Sequence, residues 1–105
     1  MTVMAEFSIA PVGLGQTSMH EYVAEAVKII ERAEGVDWHL TPMGTILEAD
    51  EIDPILEIVK RSHEALRGRG VKRISSSLRI DHRIDVKGKR MTRKVRAVKQ
   101  ALGNE

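Results

Sequence analysis

Alternating apolar and polar residues predict four β-strands, because successive side chains of a strand point to opposite faces. The predicted strands cover residues 3–10, 36–41, 45–49 and 71–83. In the first strand Ala5, Phe7 and Ile9 share one side, which is typical of a half-buried strand. Residues 42–44, Pro-Met-Gly, separate the second and third strands at a distance suited to a hairpin.

Two further segments repeat their apolar residues at helical spacing. The first helix is expected to begin at Ser18, whose spacing to Glu21 is that of a capping box, and to stop at Gly35. The second is expected to begin with Asp53 as its cap and Pro54 at the first helical position. The expected apolar stripes are Val23, Ala26, Val27, Ile30 and Ala33 in the first helix, and Ile55, Leu56, Val59, Ser62, His63 and Leu66 in the second.

The order strand, helix, strand, strand, helix, strand predicts an α+β, ferredoxin-like βαββαβ fold in one domain over residues 1–105. Both helices then cover one face of a four-stranded antiparallel sheet, and a basic helix over residues 92–102 follows. The other sheet face, here called the open face, should carry small hydroxyl and charged side chains. The expected members are Glu6, Ser8, Ala10, His39, Thr41, Ser75, Ser77, Arg79 and Asp81. Such a face suits a flat ligand or a second sheet, or it is simply solvated.

Composition narrows the function classes. The chain of 105 residues has no cysteine, which excludes disulfides, thiolate metal sites and a cysteine nucleophile. With only one Trp, one Tyr and one Phe, an aromatic stacking platform for nucleic acid is disfavoured. No apolar run approaches the length of a membrane span, and no secretory signal is evident, so a cytoplasmic protein is expected.

Charge is divided unevenly. Residues 1–53 carry ten acids and two bases, whereas residues 54–105 carry five acids and fifteen bases. The favoured interpretation is that unlike faces of identical subunits meet in an oligomer. The alternative is RNA binding through Arg90, Arg93 and Lys94, although the ten early acids would oppose it.

Other candidate chemistry is weak. The histidines His20, His39, His63 and His82 lack zinc-ligand spacing, so no metal site is expected. His63 is expected in the core, paired with a backbone group, and His39 is kept as a ligand contact. Residues 13–15, Gly-Leu-Gly, are interpreted as a tight turn, and no nucleophile, base and orienting group can be assembled.

Three segments together resemble the small thiamine-binding protein family of the YkoF-like superfamily. They are Ala5-Glu6-Phe7-Ser8-Ile9-Ala10-Pro11-Val12-Gly13, Thr41-Pro42-Met43-Gly44-Thr45-Ile46-Leu47-Glu48 and Leu78-Arg79-Ile80-Asp81-His82-Arg83. The resemblance implies a ferredoxin-like fold, homodimers or homotetramers assembled through sheet faces, and binding of thiamine or its hydroxymethylpyrimidine part. It implies no catalysis and no required cofactor.

Thiamine joins an aminopyrimidine to a cationic thiazolium, so its site needs hydroxyl or amide groups and a carboxylate. Strand geometry applied to the matching segments makes Ser8 and Ser77 the candidate pyrimidine contacts, with Thr45 and His39 at the hairpin. Glu48 is the favoured carboxylate and Asp81 the second choice, although Glu48 is equally well explained as a surface acid. Met43 is an adaptable apolar contact. A bulge at Pro42 and Gly44 would reverse which hairpin residues face the ligand.

The sequence therefore predicts a non-enzymatic binding protein that holds thiamine or a related pyrimidine on the open face, at or near an oligomer interface. The alternatives are a structural or regulatory oligomer without a small ligand and the RNA-binding protein described above.

Overall fold

The computed structural model describes residues 1–15, 19–88 and 90–103. This part of the chain forms four strands and three helices. They are β1 (Thr2–Pro11), α1 (His20–Arg32), β2 (Val36–Thr41), β3 (Gly44–Ala49), α2 (Asp53–Gly68), β4 (Ile74–Arg83) and α3 (Met91–Ala101). The predicted capping box at Ser18 lies outside the described residues.

The strands form one antiparallel sheet in the order β2-β3-β1-β4. Residues Val3, Ala5, Phe7 and Ile9 of β1 face the helices, and each is buried. They pack in one hydrophobic cluster with Ala26 and Ile30 of α1 and with buried residues of α2. The predicted α+β, ferredoxin-like fold is confirmed.

Strand pairing also confirms the predicted open face. Glu6 lies opposite Ile46 and Arg79, and Ser8 lies opposite Ser77. Paired residues of an antiparallel sheet point to the same side, so these side chains lie on the face away from α1 and α2. The pairing of β2 with β3 is continuous and contains no bulge, so the hairpin faces are not reversed.

Helix α2 differs in detail from its prediction. It begins at Asp53 itself, with Ile52 in the cap position and no capping side chain, so the expectation that Asp53 is the cap was wrong. The carboxylate instead lies in the first turn, where the helix dipole favours a negative charge. The buried stripe contains Ile58, while Leu56 is exposed.

The expected backbone partner of His63 was also wrong. His63 is only half-buried, and its Nε2 atom lies 2.7 Å from Ser76 Oγ on β4. This histidine therefore joins α2 to the outer strand of the sheet by a bond between side chains.

The third helix lies outside the helical layer. Its first residues contact the open face, and no residue of α3 is buried. Val95, Val98 and Leu102 are exposed along one side of the helix and its end. The open face is therefore partly occupied at one end by the start of α3.

Candidate functional site

The β2–β3 hairpin closes through a two-residue turn formed by Pro42 and Met43. The Thr41 hydroxyl donates to the Gly44 carbonyl oxygen over 2.8 Å and accepts from the Met43 amide over 3.3 Å. This bonding uses the Thr41 side chain to fix the turn and leaves Met43 highly exposed at its tip.

Gly44 brings the hairpin against β1. A Cβ atom at this position would lie 2.9 Å from the Phe7 carbonyl oxygen, closer than side chains approach a backbone oxygen. The glycine therefore permits a close approach that another residue would obstruct.

Between this hairpin, β1 and α1 lies a cavity of about 180 Å³, here called the hairpin cavity. Its walls are mostly apolar. They include Phe7, Ile9, Val23, Ala26, Val27, Ile30 and Leu40, with Ser8, Thr41, Pro42, Met43, Gly44 and Thr45 beside the hairpin. A flat apolar ring could therefore contact the sheet on one side and α1 on the other, with hydroxyl-bearing residues at one end.

The strand backbone adds polar groups to this cavity. β3 pairs with β1 as far as Phe7, whereas β4 pairs with β1 as far as Pro11. Within the described structure, residues 8–11 of β1 therefore form no ladder pair on the hairpin side, and Ser8 and Ile9 of this stretch line the cavity. Backbone N–H and C=O groups along such an edge can bond an extended peptide or a ligand with alternating donors and acceptors.

The structure places the predicted site residues in separate regions. Met43 and Thr45 line the hairpin cavity, and Ser8 borders it from β1 although its side chain points to the open face. Ser8 and Ser77 are neighbours across β1 and β4 on the open face. Thr45 pairs with Phe7, and its side chain is buried on the helix side, so it cannot share the open face with His39. His39 lies on β2 beside Met91 and Val95 of α3.

Asp81 lies at a second hollow, of about 230 Å³, on the open face. The residues lining it are Met4, Ala5, Glu6, Ile46, Arg79, Asp81 and Lys94. Lys94 Nζ donates to Asp81 Oδ2 over 3.0 Å, and Arg90 Nη1 lies 3.1 Å from the same oxygen. These contacts, the Lys94 hydrogen bond first, lower the pKa of Asp81, so its charge is already balanced by two protein cations.

Glu48 is also engaged by the protein. Its Oε2 accepts hydrogen bonds from the backbone amides of Arg90 and Met91, the latter over 3.1 Å. The side chain is 3% exposed and caps the start of α3, so the alternative that it is a surface acid is wrong.

Arg90 is 4% exposed. Its Nη2 atom donates to the Asp81 carbonyl oxygen over 2.6 Å and contacts the Thr2 carbonyl oxygen at 3.3 Å. Arg90 therefore anchors α3 and is not presented to a phosphate backbone, which removes one residue from the RNA-binding alternative.

Sequence reasoning missed most of the apolar wall of the hairpin cavity. Val23 and Val27 were assigned to a buried stripe, yet they face a cavity, and Val23 stays partly exposed. The sequence does contain a signal for this cavity: α1 carries further apolar residues besides Ala26 and Ile30, the two that are buried.

Neither a cluster of metal-ligand side chains nor a membrane-spanning helix is found among the described residues. Across residues 1–15, 19–88 and 90–103, no group of three or more His, Asp or Glu side chains could hold a metal ion. Over the same ranges, each helix is too short or too polar to cross a bilayer.

A helix-backed antiparallel sheet in the order β2-β3-β1-β4, with a small apolar cavity beside its β2–β3 hairpin, defines an α+β protein of the ferredoxin-like class. Residues 5–99 match the family described as thiamine-binding protein, and the chain belongs to that family. This description names a binding function and no reaction.

Relatives cover almost the whole chain. A UPF0045 protein of Methanothermobacter thermautotrophicus is 36% identical over 95% of this chain and 99% of its own. The crystal structure of a hypothetical protein from Methanocaldococcus jannascii is 34% identical, with a TM-score of 0.79 over 99% of this chain and 98% of that one. A Thermotoga maritima structure, described as a candidate thiamine biosynthesis/salvage protein, is 23% identical with a TM-score of 0.75 over 93% of this chain and 99% of that one, and it supports the fold.

Proposed function

We propose that this protein binds thiamine or its hydroxymethylpyrimidine part without catalysing a reaction, and that the pyrimidine ring occupies the hairpin cavity. The observation that carries the proposal is that apolar walls and the strand edge at Ser8 and Ile9, which forms no ladder pair with β3, line the same cavity. Family membership supports the ligand class. We further propose that the protein acts in the cytoplasm and that it requires no cofactor.

Shape and polarity both support a pyrimidine ring. An aminopyrimidine is flat, so its two faces suit the walls formed by Phe7 and Val27. Its edge carries an amino donor beside a ring nitrogen acceptor, which matches a backbone C=O and N–H presented along β1. A cavity of about 180 Å³ suits a single substituted ring better than the whole of thiamine.

The thiazolium ring is proposed to lie at the mouth of the cavity, beside Met43. No carboxylate is among the cavity-lining residues, and Glu48 and Asp81 already bind α3 or its cations. A buried cation without a counter-charge would be costly, so the charged ring should stay in contact with water.

Calorimetry with ligand-free protein tests the proposal. Thiamine and hydroxymethylpyrimidine should both bind, whereas the isolated thiazolium part should not. Val23→Phe should fill the cavity and abolish binding, while Ala24→Phe, on an exposed position of the same helix, should leave it unchanged. Absence of binding at millimolar ligand would show that the ligand class is wrong.

The same measurement separates two locations on the protein. If the ligand instead occupies the open-face hollow, Arg79→Leu should weaken binding and Val23→Phe should not. Self-association through the open faces is proposed as part of the assembly, since small residues such as Ser8, Ala10 and Ser77 allow two sheets to approach.

A further inference from the structure

The third helix and β2 enclose a hollow on the open face of the sheet. It has a volume of about 300 Å³ and is here called the β2–α3 hollow. The residues lining it are His39, Met91, Thr92, Val95, Arg96 and Lys99. His39 pairs with Ile46 on the open face, whereas the hairpin cavity lies between the sheet and α1, so the two spaces are on opposite sides of the sheet.

Basic side chains from distant parts of the chain meet in this hollow. Thr92, Arg96 and Lys99 share one side of α3, because residues four and seven positions apart lie on the same face of a helix. Within the described part of the chain, neither Arg96 nor Lys99 nor His39 forms an ion pair or a side-chain hydrogen bond. Among the described residues that line the hollow, none is acidic. The positive charge is therefore available to an anion.

The acids nearest to His39 on the sheet do not cancel this charge. Glu48 accepts hydrogen bonds from the backbone amides of Arg90 and Met91. Asp37 lies two residues before His39 on the same face of β2, and it has a partner of its own. Both carboxylates are therefore engaged outside the hollow.

The hollow also has an apolar side. Met91 is half-buried, and Val95 is 53% exposed although it is apolar. Small-molecule sites characteristically combine apolar walls with a few polar groups that fix the orientation of the ligand. The β2–α3 hollow therefore suits a small anion that carries an apolar group.

We propose that the β2–α3 hollow binds a phosphate monoester whose organic part is a ring or another apolar group. A phosphate monoester carries a charge between about −1.5 and −2 at neutral pH and presents three acceptor oxygens. The planar Arg96 guanidinium can donate to two of these oxygens and the Lys99 ammonium to the third, while the apolar group covers Val95. A carboxylate has one charge and two oxygens, so it should bind less tightly.

Calorimetry of the full chain with phenyl phosphate tests this site, at about 0.15 M salt, where attraction to distant surface charges is largely screened. Phenyl phosphate should bind more tightly than inorganic phosphate, which lacks the ring, and more tightly than benzoate, which carries a single charge. The double variant Arg96→Gln, Lys99→Gln should weaken binding about tenfold or more, because hydrogen bonds from charged donors are lost. The matched double variant Lys60→Gln, Arg67→Gln removes the same charge from exposed positions of α2 and should leave the affinity unchanged.

The apolar contact is tested separately by Val95→Ser. This exposed substitution should weaken binding of phenyl phosphate and leave binding of inorganic phosphate unchanged. In proton–nitrogen NMR spectra, phenyl phosphate should shift the amide resonances of His39 and of residues 92–99 and leave those of residues 23–27 in place.

Several results would overturn the proposal. Absence of phenyl phosphate binding at millimolar concentration would do so, and so would amide shifts confined to other regions. An equal loss of affinity in the two double variants would show general attraction to positive charge instead of a site. Equal affinity for benzoate would show that the hollow does not select phosphate. None of these results depends on hydroxymethylpyrimidine binding, because that ligand is proposed to occupy the hairpin cavity on the other side of the sheet.

Discussion

Glu48 stabilises the start of α3 with a carboxylate that is almost wholly buried. Glu48→Ala would leave the backbone amides of Arg90 and Met91 without their acceptor. The free energy of unfolding should fall by about 1–3 kcal/mol, the usual cost of buried donors that lose their partner. Urea denaturation followed by circular dichroism measures this change.

Two comparisons make the Glu48 result specific. Glu48→Gln keeps an acceptor oxygen and should lose less stability, and Glu6→Ala, at an exposed acid on the same sheet face, should change little. Glu48→Gln should also leave thiamine affinity unchanged, because the carboxylate lies outside the hairpin cavity. A large loss of thiamine affinity without a change in stability would instead favour Glu48 as the counter-charge of the thiazolium.

Asp81 within β4 and Asp85 just after it should both titrate at low pH. Arg83 donates to both oxygens of Asp85, at 2.9 and 2.6 Å, and this contact lowers the pKa of Asp85 to about 2. Hydrogen bonds from Lys94 and Arg90 lower the pKa of Asp81 in the same direction. Carbon NMR of the carboxyl groups should place both midpoints below the ordinary value of 3.8.

The sign of the pH dependence follows from these directions. A carboxyl whose pKa is lower in the folded protein stabilises it above the unfolded pKa, and this contribution disappears as pH falls through the folded pKa. The contacts of Asp85 with Arg83 should therefore be lost as pH approaches 2. In Arg83→Gln the Asp85 midpoint should rise toward its ordinary value, and an unchanged midpoint would show that the pair does not form in solution.

At the scale of elements, the hairpin depends on its glycine. Gly44→Ala would place a Cβ atom 2.9 Å from the Phe7 carbonyl oxygen and force the hairpin away from β1. A loss of about 1–3 kcal/mol is expected from strain of this kind. Thermal unfolding should show it, and thiamine affinity should fall too, because the same movement opens the hairpin cavity.

Gly68→Ala is the matched control. Gly68 lies in the last turn of α2, where a Cβ atom would meet no atom within 4 Å and the backbone needs no left-handed conformation. Alanine should therefore be neutral there or stabilise by about 0.5–1 kcal/mol. Equal destabilisation by both substitutions would indicate that the close contact at Gly44 is not responsible.

Element order and sheet faces could be predicted from the sequence because period-two and helical repeats arise directly from backbone geometry. The side of α2 that is buried was less predictable. Ile55, Leu56, Ile58 and Val59 are all apolar, so several faces of the helix fit the pattern, and packing against the sheet selects Ile55 and Ile58. The local sequence cannot contain this selection, since it depends on strands distant in the chain.

The candidate site was harder to predict, for a related reason. Ser8 and Ser77 could be placed together because both lie on strands of known alternation. The role of Glu48 depends on α3, which begins about forty residues later and reaches back to the sheet. The hairpin cavity depends on the gap between β1 and α1, which no single segment encodes.

At the scale of the whole molecule, the uneven charge of the sequence is only partly available to a partner. Arg90 is buried and Lys94 is paired with Asp81, so the exposed positive charge of α3 comes mainly from Arg93, Arg96 and Lys99. The formal net charge is only +2, so long-range attraction to a polyanion should be weak. Fluorescence anisotropy with a labelled single-stranded RNA should show little binding at about 0.15 M salt.

The RNA experiment has a clear opposite outcome. Binding that weakens steeply with salt and is lost in the triple variant Arg93→Gln, Arg96→Gln, Lys99→Gln would support the nucleic-acid alternative, because each released counterion adds to the salt slope. A second triple variant, Lys28→Gln, Lys60→Gln, Arg61→Gln, removes the same charge from α1 and α2 and controls for net charge. Equal behaviour of the two variants would show that α3 forms no dedicated RNA surface.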